Sequence, residues 1–561
     1  MSHNSPSKLF PNSFSISPLT VVLIGEIIFL IFAGWSYRNQ ACLGLTVYWV
    51  LYKLFFYPLF FSPIRNVPGP PLGYPLWGQG GKAVPFQLGL QQQEWAKQYG
   101  SVVRVVGPIG DEAVLFLRPE ALHKIMVKDW LDYPRPNFVR KFLSHITSNG
   151  LFAVTGDEHL QMRKAMSPAF SISNLTARRL VDILASQVDE KEGKIIQMNK
   201  WMNKVTLDII CETGFGCRID SLHNPHNELV EAFEHLSSLQ SGEQSWLHPQ
   251  SHLFIGALII PGMSKFLQTE FAYRHRHIFS HIKLFASLTT MIGSIHTIKR
   301  ISAQMLQEKI KESIELGMAE GDSERSEKKN IMSILMRART REVGNRYRMS
   351  DEAMMAQVLT FLVAGHGICA SQTLWLLSKD IPSQEKLRAE VTPFYTQNPH
   401  LDYKSLQALQ WLNCVVMESL RLRPPVPVTI REATKSDYVD GTYIQKGTLL
   451  WIPIQVINTW KEVWGDDAEV FRPHRWLDLP KNYNSTFSTF SFIAGHHACI
   501  GKTMAIIEMK AVLVALIANF TFEPVSEGQE VQPTVTLPMR PAGEMPLRVK
   551  RIYNCNPILS T

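Results

Sequence analysis

Seven cysteines in 561 residues are few, and they are scattered: Cys42, Cys211, Cys217, Cys369, Cys414, Cys499 and Cys555. An odd number without regular spacing excludes a disulfide-stapled secreted fold and indicates a reducing compartment. Long blocks of like charge are also missing, although the net charge is +8. That argues against a nucleic-acid partner and directs the basic surface toward anionic lipid or an acidic protein. No internal repeat is present, which excludes a solenoid. A nucleotide-binding fingerprint is lacking as well. Gly78-Gln79-Gly80-Gly81-Lys82 has neither the spacing of a phosphate-binding loop nor the hydroxyl residue that follows one. With 45% hydrophobic and only 19% charged residues, the chain can bury a large core.

Two apolar runs stand near the amino terminus. Leu19 to Trp35 is interrupted only by Glu26, and Ala41 to Phe61 carries Lys53 and Pro58. The first run is at the short end for a membrane span. A signal peptide is the alternative, weakened by the long polar leader and the absence of a small-residue cleavage site. We expect residues 1–62 to form a membrane anchor, with a span at about 20–35. The segment 41–61 either spans or lies along the interface, giving one or two passes. Arg38 and Lys53 belong on the cytoplasmic side. Pro63, Pro68, Pro70, Pro71 and Pro75 then read as a stiff hinge, and residues 63–561 as one catalytic domain. Leu253 to Leu267 is again apolar, and reads either as a loop dipping into the bilayer or as a buried helix.

Cys499 lies in Phe492-Ile493-Ala494-Gly495-His496-His497-Ala498-Cys499-Ile500-Gly501, ahead of an apolar helical run from Met504 to Ala518. A thiol at a helix start meets unpaired N–H groups and the positive end of the helix dipole, and both favour the thiolate. Gly495 and Gly501 allow a tight turn and close approach to a flat partner. An inert core thiol, or a small zinc site with His496 and His497, are the other readings; no second ligand pair lies at zinc spacing. Upstream, Glu418 and Arg421 sit on one helix face, as a buried pair or a solvated one. Arg475 lies in Phe471-Arg472-Pro473-His474-Arg475-Trp476. His159 and Arg163 also share a face, and Arg431 sits in Thr429-Ile430-Arg431-Glu432-Ala433.

In this order the motifs resemble those of the cytochrome P450 family, the haem-thiolate monooxygenases, from about residue 63 to 550. The cysteine loop is similar to Phe-x-x-Gly-x-Arg-x-Cys-x-Gly, with His497 where Arg is usual. Glu418 and Arg421 match Glu-x-x-Arg, and Arg475 matches the Arg of Pro-Glu-Arg-Phe/Trp, with His474 replacing Glu. The resemblance implies a mainly α fold with a small β region (α+β) behind an anchor. It implies haem b, iron protoporphyrin IX, with Cys499 as axial ligand and Phe492, Gly495, His497 and Gly501 around it. It gives His159, Arg163 and Arg431 to the haem propionates, and Glu418, Arg421 and Arg475 to a buried charge network bracing the loop. Electrons would come from NADPH through a separate cytochrome P450 reductase, with cytochrome b5 as a further donor. Lys164 and Lys502 are candidates to face that donor, or plain solvated lysines. Tyr52-Lys53-Leu54-Phe55-Phe56-Tyr57-Pro58 followed by Val67-Pro68-Gly69-Pro70 resembles fungal microsomal members. That places the domain on the cytosolic face of the endoplasmic reticulum.

The oxygen-activating helix departs from the pattern. Ser350 is expected to cap a helix running to about Ser378, which contains Ala364-Gly365-His366-Gly367-Ile368. Where the family has Ala-Gly-x-Asp/Glu-Thr, Ala364 and Gly365 match, and they are expected to leave an oxygen-sized groove. Gly367 replaces the acid and Ile368 the alcohol. That pair normally relays protons as positioned general acids do. Three readings follow: relay by substrate hydroxyl or ordered water, turnover of a peroxide or isomerisation without a relay, or haem binding with little oxygen activation. The expected substrate-facing segments, 133–150, 359–369, 426–430 and 534–538, are mostly apolar and suit a lipophilic molecule. A terpenoid, sterol-like or polyketide intermediate of fungal secondary metabolism is what the lineage resemblance implies.

Overall fold

The computed structural model describes residues 35–74, 78–79, 89–166, 177–188, 193–224, 226–241, 266, 269–281, 285–315, 331–340, 349–365, 370–398, 401, 403–531 and 544–552. The fold is mainly helical with a small β region, as expected. The helices that position the site are α1 Trp35–Leu51, α2 Asn137–Thr147, α3 Gly156–Met166, α4 Asp351–Gly365, α5 Ala370–Lys379, α6 Ile381–Gln397, α7 Gln410–Leu422 and α8 Lys502–Asn519. In α8 every residue from Ile507 to Ala518 is buried. A helix apolar on nearly all sides is a core helix, and α8 is packed round by α6, α7 and the strand Phe520–Pro524 that follows it.

The strands form three small sheets. In the largest, β1 Val102–Val106 pairs antiparallel with β2 Glu112–Phe116. Next comes β7 Leu449–Ile452, parallel to β2, and then β4 Thr429–Glu432, antiparallel to β7. Strand β3 Lys194–Gln197 pairs with β9 Pro546–Arg551, which also pairs with β8 Phe520–Pro524. The hairpin β5 Asp437–Val439 and β6 Thr442–Ile444 is separate. This hairpin and the largest sheet pack on a core that includes Ile125, Met126, Phe490 and Ala494, so that sheet backs onto the cysteine loop.

Ser350 caps α4 as expected, its hydroxyl accepting from Ala353 N at 3.1 Å, with Asp351 and Glu352 in the first turn. The helix is described to Gly365, residues 366–369 lie outside the described residues, and α5 begins at Ala370. The segment Asp351–Lys379 is mostly buried inside the protein and is core, despite an apolarity sufficient for a membrane span.

At the amino terminus the expected span at 20–35 lies outside the described residues except for Trp35. The second apolar segment is helical: α1 runs on into a π-helical turn, Tyr52–Phe61, and Gln40–Phe61 is long and apolar enough to cross a membrane. Its last part is held on the β1–β2 turn and on Gln445. Lys53 pairs with Asp111 at 3.3 Å, Tyr57 donates to Gln445 Oε1 at 2.9 Å, and a Cβ on Gly110 would lie 2.2 Å from the Lys53 carbonyl oxygen. Leu43, Val47, Phe56, Phe60 and Phe61 are left exposed.

Candidate active site

The cysteine loop is shaped by its own backbone. Ile493 N donates to Phe490 O at 2.8 Å, Ala498 N to Gly495 O at 3.0 Å and Cys499 N to Phe492 O at 2.9 Å. At Gly495, φ is +69° and a Cβ would lie 2.1 Å from the Met126 carbonyl oxygen, so only glycine fits. Gly501 is the cap of α8, which begins at Lys502; Cys499 therefore precedes the helix rather than starting it. The thiol has open surface yet is crowded by surrounding protein, the combination found at the bottom of a recess. Desolvation pushes its pKa above the ordinary thiol value, against the opposing pull of the Gly501 backbone, Arg163 and Lys502. Phe492 is half-buried below Lys502, whose Nζ is 5.9 Å from the ring centroid. The zinc reading has no support here. His496 and His497 pack on Trp130, at 4.6 and 5.4 Å between centroids, and no metal-holding cluster of His, Cys, Asp or Glu occurs among the described residues.

Three separate segments bring basic side chains to this loop. From α3, Arg163 donates through Nη1 to the Ala498 carbonyl, and the His159 ring packs at a tilt 4.3 Å from that of His497. On β4, Arg431 is buried; Nη1 donates to Thr429 Oγ1 and Ile430 O, each at 2.8 Å, while Nη2 has no partner. His159 Nδ1 and His497 Nε2 are likewise buried without a partner. The third segment was not singled out in the sequence. Arg135, between Pro134 and Pro136, places Nη1 3.4 Å from His497 Nδ1. Neither Arg135 nor Arg431 has an ion-pair partner among the described residues. Burial, reinforced by neighbouring cations, draws the basicity of this cluster down. Arg135 falls to about 10 and His159 to about 4, while Arg431 and His497 lie far below their ordinary values. Buried donors in surplus over acceptors form a site for an anion.

Glu418, Arg421 and Arg475 come together beneath the loop. Arg421 donates from Nε and Nη2 to the two oxygens of Glu418, each at 2.8 Å, and Arg475 Nε donates to Oε1 at 2.9 Å. Trp476 Nε1 adds a bond of 3.0 Å to Oε2, and Arg472 N one of 2.9 Å to Oε1. Glu418 and Arg421 are fully buried, so the pair is not a solvated one. Arg421 also donates to Asn458 O at 3.1 Å; the Asn458 side chain accepts from Phe490 N at 2.6 Å and donates to Ser491 Oγ at 2.8 Å. Asn458, also not singled out in the sequence, thus ties the charge network to the start of the cysteine loop. His474, in the place of the family's Glu, is exposed and accepts from Lys386 Nζ at 2.9 Å, outside the network.

On the α4 side the structure reaches only the first two expected groove residues. Ala364 and Gly365 end α4, and Gly367 and Ile368 lie outside the described residues. A Cβ on Gly365 would meet Ile210 at 2.8 to 3.3 Å. Its small size is therefore needed by packing against the 210–215 segment.

The model of the family described as cytochrome P450 matches residues 68–259 and 259–545. Cytochrome P450 monooxygenase 128 of Postia placenta is 30% identical over 541 residues, covering 87% of this chain and 93% of its own length. Cytochrome P450 monooxygenase 205 of the same fungus is 29% identical over 516 residues, covering 86% and 90%. Cytochrome P450 monooxygenase sphH of Aspergillus fumigatus is 27% identical over 509 residues, covering 86% and 87%. The family model runs through both the cysteine loop and the buried charge network, and the chain belongs to the cytochrome P450 family.

Proposed function

We propose that this protein is a membrane-anchored haem-thiolate monooxygenase that oxidises a lipophilic small molecule, an intermediate of fungal secondary metabolism. A terpenoid, sterol-like or polyketide compound fits the mostly apolar segments expected to face it. Haem iron is implied by the family, and the residues fit the group. Cys499 offers a sulfur in a recess, and Gly495 lets the loop lie close. Arg431 Nη2, His159 Nδ1 and His497 Nε2 are buried nitrogens without a partner, suited to an acidic cofactor. The convergence of these nitrogens from three separate elements on the Cys499 loop is the observation that carries the reading.

Bound through the thiolate, haem supplies the activation of dioxygen and the insertion of one oxygen atom into an apolar substrate. Cys499 would bind the iron as its thiolate, because a metal cation deprotonates a coordinating thiol. Arg163, Arg431, His159 and His497 would hold the cofactor carboxylates, and Glu418, Arg421 and Arg475 would brace the cysteine loop. The exposed apolar side chains of 40–61 suit a lipid surface. With Lys53 onward docked on the catalytic unit, that segment fits an orientation along the interface of the endoplasmic reticulum, the domain facing the cytosol. Electrons come from an NADPH-dependent reductase, for which the exposed Lys164 and Lys502 offer positive charge. Gly367 and Ile368 support a second reading, a peroxide-using or isomerising enzyme or a haem protein with little oxygen activation.

Cys499→Ser is expected to abolish the thiolate-type optical spectrum of the reduced, carbon monoxide-treated protein, along with turnover. Survival of both would overturn the thiolate assignment. Metabolite profiling with a fungal reductase, and with peroxide instead, separates the readings: oxidised product with reductase and NADPH supports the monooxygenase.

A further inference from the structure

At position 497 the cysteine loop carries an imidazole where the family pattern has Arg. The ring is buried, tilted against His159 at 4.3 Å between centroids and edge-on to Trp130. What lies against it is Arg135. That residue lies between two prolines whose carbonyls are both held, with Glu432 N donating to Pro134 O at 3.0 Å and Arg140 N to Pro136 O at 3.1 Å. Its Nη1 points at two acceptors, Phe152 O and His497 Nδ1, each at 3.4 Å. No carboxylate pairs with it among the described residues. A guanidinium has five N–H donors and no acceptor, so His497 Nδ1 must be the accepting nitrogen. The ring proton then resides on Nε2, which is buried and has no partner. The pair therefore presents one oriented N–H backed by a fixed positive charge, in the same cluster as Arg431.

We propose that Arg135 and His497 together form the binding site for one carboxylate of the haem, His497 donating from Nε2 while Arg135 fixes that tautomer and supplies the charge. This rests on the haem reading above. Arg135 is a positioning residue in this scheme, acting on the cofactor through His497. A carboxylate at this place gives the buried guanidinium the counter-charge it lacks, whereas an unpaired buried cation is costly.

The test follows haem loss from the purified, haem-loaded protein to excess apomyoglobin. Arg135→Gln is expected to speed loss roughly tenfold or more, the scale of one charge-assisted hydrogen bond. Adding His497→Arg to that variant, which puts charge and donor on one side chain, is expected to return the rate close to that of the unaltered protein. A merely structural role for Arg135 predicts no such rescue. Haem loss unchanged in Arg135→Gln, or an absence of rescue, overturns the proposal. Should Arg135→Gln yield no soluble protein, the double variant decides. Its recovery with haem bound supports the assignment, and its failure overturns it. If the unaltered protein itself takes up no haem, the underlying reading falls; if it binds haem and is indifferent to position 135, only this inference does.

Discussion

Single residues carry much of the site. Glu418 accepts five hydrogen bonds from Arg421, Arg475, Arg472 and Trp476, in a place with no water contact. Removing one partner of a buried ion pair strands the other charges, so Glu418→Ala should cost about 3–5 kcal/mol. Denaturant unfolding checks this, and a loss below about 1 kcal/mol would be the value for a solvated pair. At Gly495 the constraint is steric. With φ at +69° and the Met126 carbonyl in the way, Gly495→Ala should lower stability by roughly 2 kcal/mol or more, read from thermal unfolding together with haem content. The residues of both predictions were legible as motif positions. Arg135 was not. A lone Arg between prolines has no periodicity and no charged partner in sequence, and its meaning comes from His497, a residue far along the chain.

At the scale of elements, α4 and α5 were legible from the capping serine and the apolar periodicity. Gly365 was read as making room at the oxygen groove. A side chain there would meet Ile210, a neighbour that only packing reveals. Beyond it, Gly367 and Ile368 leave the segment without the acid and hydroxyl that relay protons in the family. Gly367→Glu combined with Ile368→Thr should raise product formed per NADPH on simple apolar substrates, measured with a reductase present. Unchanged coupling would mean that the relay is not what limits turnover. The amino-terminal elements divide in the same way. Apolarity marked 41–61, but its docking through Lys53, Tyr57 and Gly110 depends on the β1–β2 turn and Gln445.

For the whole molecule, the interior determines the response to pH. Glu508 is buried in α8, its Oε1 unpartnered, and desolvation raises its pKa from the carboxylate value of 4.5 to about 8. The unfolded chain releases this proton near 4.5, while the folded chain holds it until about 8. Folding stability from this group is therefore full below pH 4.5 and declines as pH rises to about 8. Glu508→Gln, which cannot ionise, should raise the unfolding midpoint at pH 8 by an amount equivalent to a few kcal/mol and change it little at pH 4.5. An equal shift at both values would show that ionisation is not involved.

The sequence by itself determined the family, the mainly helical fold with its small β region, and most residues of the cysteine loop and charge network. Those rest on local spacing, which a one-dimensional chain displays. Tertiary structure decided which buried nitrogens lack partners, that Arg135 stands against His497, and that Asn458 joins the Glu418 network to the loop. Each depends on groups distant in sequence sharing a low-dielectric space, where desolvation and pairing set the energies.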